Sequence, residues 1–125
     1  MSVRKLLLAA VLGLSAAGPA MVLAHHSHGN YDLHDYTYLT GTVQEVLWLN
    51  PHSWIHLRVT DEAGGATDWA LEGGGINALT RRGWKPDDIK PGDEISVRCH
   101  RLRDGSQGCL MGYVTPNGGA EKEWD

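Results

Sequence analysis

The chain has 125 residues, with 11 Lys plus Arg against 15 Asp plus Glu and a formal charge of −4. That length allows one domain with one modest core, and it leaves little room for a deep catalytic cleft between two domains. The acidic balance repels phosphate backbones and anionic headgroups, so it argues against nucleic acid and anionic membrane as partners.

Arg4 and Lys5 precede an apolar, small-residue run from Leu6 to Gly18, which Pro19 breaks. This is the layout of an export signal, and the run is too short for a stable bilayer span of about 20 residues. Val22-Leu23-Ala24 satisfies the small-residue rule for signal cleavage. Residues 1–24 are therefore expected to be a signal peptide, with a mature start at His25, a periplasmic or secreted location and no stable membrane anchor after cleavage. Loss of Arg4 and Lys5 makes the remainder more acidic still. Residues 25–38, HHSHGNYDLHDYTY, carry no periodicity and read as a His-rich arm.

A strand follows over about Leu39 to Leu49, with a break in alternation near Glu45 and Val46 that predicts a bulge. Asn50-Pro51 marks a turn. From Ser53 to Thr60, Ile55, Leu57 and Val59 alternate with Trp54, His56 and Arg58, the pattern of a half-buried strand. Asp61 to Ala66 is a hairpin loop, and Thr67 to Glu72 a third strand with Trp69 and Leu71 on one face. Gly73-Gly74-Gly75 leads into a short helix from Ile76 to Arg82, with Gly83 as its left-handed stop. The glycine run lacks a following Gly-Lys-Ser/Thr, so a tight strand-to-helix turn is favoured over a phosphate loop. Glu94 to Arg103 and Gly108 to Thr115 form a last hairpin around Asp104-Gly105. Residues 116–125 are polar and are expected to be a flexible tail.

Three strands, a short helix and two strands match a mostly β, five-stranded barrel of the oligonucleotide-binding (OB) type over residues 39–115, with its helix between strands three and four. A two-sheet sandwich is the alternative. Cys99 and Cys109 fall on the facing strands of the last hairpin. An even pair close in sequence, in an oxidising compartment, suggests a disulfide.

All seven histidines lie after the predicted cleavage site. His25, His26, His28 and His34 crowd the new N-terminus, where cleavage would also free the α-amine of His25. An amine and a ring from one His, with a third nitrogen from another, make a tetragonal nitrogen set that favours Cu(II) or Ni(II). His52 is the candidate from the folded part. His52 and His56 cannot share one ion, because four residues along a strand is about 13 Å and metal–nitrogen bonds are about 2 Å. The expected metal ligands are thus the amine and ring of His25 together with His26, His28 or His52, and copper is the expected cofactor. A second expectation places a small ligand or another exported protein on the exposed face formed by Trp54, His56 and Arg58. A copper oxygenase ranks last, since no second catalytic constellation is present.

Several motifs together resemble an uncharacterised family of small exported bacterial proteins. These are His25-His26-Ser27, Leu39-Thr40-Gly41-Thr42-Val43, Asn50-Pro51-His52-Ser53-Trp54-Ile55, Trp69 to Gly73, Asn77-Ala78-Leu79 with Arg82-Gly83-Trp84, and Lys90-Pro91-Gly92-Asp93. The resemblance spans nearly all of residues 25–115. It implies export, a compact β domain and attention to His25, His26, His52 and Trp54, and it brings no activity with it. The cysteine pair and His28 depart from that pattern.

Overall fold

The computed structural model describes residues 27–125. The export signal, His25 and His26 lie outside the described residues. A 3₁₀ turn at Ser27–Asn30 is followed by β1 (Thr37–Leu47), β2 (His52–Thr60), β3 (Ala66–Gly74), helix α1 (Ile76–Arg81), β4 (Glu94–Arg101), β5 (Gly108–Pro116) and a two-residue β6 (Lys122–Glu123). Among the described residues, no helix is long and apolar enough to cross a membrane.

The strand order is β3-β2-β1-β4-β5-β6, and a parallel β3–β5 pairing closes the first five into an OB-like barrel. Closure depends on β1. Its first half pairs with β4 and its second half with β2, so the strand must bend between them. Two features allow the bend: a bulge between Val43 and Glu45, just before the predicted break, and Gly41. A Cβ on Gly41 would lie 2.3 Å from the Arg58 carbonyl oxygen, so any side chain there would push β2 away.

Alternation decides what fills the barrel. On β2, Ser53, Ile55 and Leu57 are buried, while His52, Trp54 and His56 are half-buried and Arg58 is exposed. Ile95, Val97 and Cys99 face inward from β4, and Cys109, Met111 and Val114 from β5. Cys99 and Cys109 form the expected disulfide inside the barrel, with both residues fully buried. Arg101 lies over the ring of Trp69, 4.9 Å from its centroid. Helix α1 buries Leu79, and Gly83 follows it at φ +83°, as expected for a left-handed stop.

The segment after Pro116 departs most from expectation. It is folded: Lys122 and Glu123 pair with Val114 and Tyr113, and Trp124 is only 1 % exposed within the core. Its indole N–H donates to Ser53 Oγ at 3.0 Å, and its ring meets Trp84 edge-on with centroids 4.5 Å apart. Gly73 leaves the room for that ring, since a Cβ there would lie 2.2 Å from Trp124 Cδ1. Burial of this large ring, with its one donor paired, offsets part of the entropy lost in ordering the segment.

Candidate functional site on the outer face of β2 and β3

The outward residues of β2 line up with those of its neighbours. Trp54 lies between Leu47 of β1 and Glu72 of β3, His56 between Glu45 and Ala70, and Arg58 between Thr42 and Asp68. Residues paired across strands share a face, so the indole, the imidazole and the guanidinium form one stripe down the middle of the face.

Arg58 is held flat by Asp68. Its Nε donates to Oδ1 at 2.8 Å and its Nη2 to Oδ2 at 2.9 Å. This fork holds the Asp68 carboxyl below its ordinary pKa and raises the guanidinium above its own. Both groups are open to water, so the pair fixes geometry more than it adds stability.

At the other end of the stripe is a buried carboxylate. Glu72 is 6 % exposed. Its Oε2 accepts the Tyr31 hydroxyl at 2.5 Å, and its Oε1 faces His52 Nδ1 at 3.4 Å. Tyr31 arrives from outside the barrel. It bridges to Leu102, its carbonyl accepts Arg103 Nε at 3.0 Å, and the neighbouring Asp32 N–H donates to the Arg101 carbonyl at 2.8 Å. Burial, and then the contact with Glu72, raise the phenol pKa well above its ordinary value. Tyr31 therefore remains a donor at every physiological pH. Leu110 pairs with Glu72 across the parallel seam and is buried on this outer side. The same N-terminal segment walls a cavity of about 320 Å³ lined by Gly29, Asn30, Leu102, Arg103 and Asp104.

These positions overturn the copper expectation. Among the described residues, no three or more His, Cys, Asp and Glu side chains converge to hold a metal ion. His28 sits on the exposed 3₁₀ turn, and His34 is exposed in the segment before β1. His52 turns one ring nitrogen to Glu72. His25 and His26 lie outside the described residues. A dense run of histidines in sequence is not a coordination sphere, which needs several nitrogens within about 2 Å of one point. The copper cofactor, and the metal roles of His28 and His52, are accordingly withdrawn.

The stripe of Trp54, His56 and Arg58 is where the alternation on β2 places it. Tyr31 and Glu72 were missed as partners. Glu72 was visible as the outward neighbour of Leu71, but nothing in the sequence marks it as buried, because what buries it is Tyr31, 41 positions away. His100 points outward as expected. Its Nδ1 lies 3.0 Å from the Asp35 carbonyl, and its ring stacks on Tyr36. The glycine run serves close packing, as favoured: a Cβ on Gly75 would lie 2.5 Å from the Pro51 carbonyl oxygen.

Fold and face together define a small OB-like barrel with a polar and aromatic patch on its β2–β3 side. A protein-family profile matches residues 12–111, most of the chain, and the chain belongs to that family, the Family of unknown function (DUF6152). This agrees with the resemblance to an uncharacterised family read from the motifs. No curated protein and no solved structure matches the chain.

Proposed function

We propose that the chain is an exported binding module that takes a small ligand or the surface of a protein partner on the outer face of β2, through Trp54, His56 and Arg58. The observation that carries this reading is the stripe itself. An indole, an imidazole and a guanidinium share one strand face and stay accessible, and cross-strand partners hold the arginine in a fixed plane. The β2–β3 side is also where OB barrels commonly receive ligands. Trp54 supplies apolar area at little conformational cost, and Arg58 and His56 supply directional polar contacts. Export is supported by the leader pattern of residues 1–24 and by the Cys99–Cys109 disulfide, which suits an oxidising compartment.

The face is tested by screening ligands with tryptophan fluorescence on the wild-type chain and on Trp54→Phe. A ligand of this face changes the wild-type signal, and the response is mostly lost in the variant. Equal responses in the two proteins would place the ligand elsewhere. Export is tested by mass spectrometry of the native protein, which should begin at residue 25.

A further inference from the structure

Among the described residues, Glu72 is the one charged side chain that is buried. Burying a carboxylate is costly unless donors surround it. One donor is the Tyr31 hydroxyl on Oε2. Oε1 faces His52 Nδ1 at 3.4 Å. That contact is looser than a tight hydrogen bond, yet its sign decides the tautomer. A carboxylate only accepts, so it repels a ring lone pair and attracts an N–H. The contact therefore favours, for a neutral imidazole, the form with its hydrogen on Nδ1 and the lone pair on Nε2. With 35 % of its side-chain surface exposed, His52 can present that lone pair to a ligand. Trp54 lies two residues along the same strand face, about 6.6 Å away at the usual strand rise.

From this we infer that the face takes an uncharged ring bearing a hydroxyl, with the ring on the Trp54 indole and the hydroxyl donating to Nε2 of His52. The inference rests on the β2 face being the docking site. Glu72 and Tyr31 are positioning residues: Tyr31 holds Glu72, and Glu72 sets the tautomer of His52. The spacing suits such a ligand, because a ring radius, a C–O bond and one hydrogen bond together bridge a gap of this size. Charge also selects. An anionic ring would meet the Nε2 lone pair with the Glu72 charge behind it. A ring without a donor would leave the lone pair unpaired.

Two NMR readings on the full chain test this, with His52 assigned by comparison with His52→Gln. The first is the nitrogen-15 signature of the neutral His52 ring. The expected form has hydrogen on Nδ1, and a ring with hydrogen on Nε2 overturns the inference. The second is titration with phenol, anisole and benzoate at matched concentrations, following the Trp54 indole N–H and the His52 ring. Phenol should shift both. Anisole and benzoate should act at least about 3-fold more weakly, as loss of one hydrogen bond implies. If anisole matches phenol, the donor requirement is wrong although the face still binds rings. If none of the three shifts either residue, the ligand class is wrong, and the docking face stands or falls separately on the Trp54→Phe screen.

Discussion

Ser53 and Glu72 are the two buried polar side chains among the described residues, and they lie on opposite sides of the same pair of strands. Ser53 faces the barrel interior, where it accepts the Trp124 indole N–H. Glu72 faces outward, where it accepts the Tyr31 hydroxyl. In each case an aromatic from a distant segment docks by giving one hydrogen bond to β2 or β3. The interior pair is neutral and enclosed by the core, so its effect is stability. The outer pair holds a charge at the edge of a half-open face beside His52 and Trp54. Polar groups kept at such a boundary, at a cost in folding energy, are where binding chemistry tends to be found.

The contrast predicts unequal responses to truncation. Trp124→Ala removes a core ring and should lower unfolding stability by about 3–5 kcal/mol, measured by denaturant titration. A loss below about 1 kcal/mol would mean that the C-terminal segment is not part of the core. Replacing both Cys99 and Cys109, which are buried in the core, by Ala should cost about 2–3 kcal/mol, mainly through a freer unfolded chain, and it gives a scale for the other losses. Tyr31→Phe should cost about 1–2 kcal/mol, because it leaves a buried carboxylate short of a donor. Its effect should also be local. Hydrogen exchange should quicken at the Asp32 amide, which bonds the Arg101 carbonyl, and stay slow at the Gly74 amide, which bonds the Trp124 carbonyl. If Tyr31→Phe speeds exchange equally at both amides, the two docked aromatics are one cooperative unit and the contrast fails.

These two contacts also mark where the sequence was readable and where it was not. Alternation on β2, the strand and helix order and the cysteine pair on one hairpin are local patterns, and they led to the barrel, the disulfide and the stripe of Trp54, His56 and Arg58. Trp124 gave no such signal. It sits in a polar run, beside a strand of only two residues, and its acceptor is 71 positions away. Tyr31 sits in an aperiodic arm for the same reason. The histidine count misled in the other direction. Composition reported many imidazoles, but convergence is a property of the folded chain, and His28, His34 and His52 stand on separate features there.

The smallest expected effect concerns Arg58 and Asp68, the open counterpart of the two enclosed pairs. The Arg58 fork lowers the Asp68 pKa from its ordinary value of 3.8. A carboxyl whose folded pKa is depressed adds stability above its unfolded pKa, and that addition disappears as pH falls through the lower folded value. Arg58→Gln should therefore return the Asp68 titration, followed by carbonyl NMR, toward 3.8. It should slightly reduce stability near neutral pH and make no difference once Asp68 is protonated in both proteins. Salt should erase much of the neutral-pH difference, since both groups face water. The Tyr31→Phe loss should persist in the same salt, because the Glu72 contact is shielded from solvent ions. A salt-insensitive Arg58→Gln effect would show that the outer face is more closed than its accessible stripe implies, and would weaken the case for a ligand reaching Trp54.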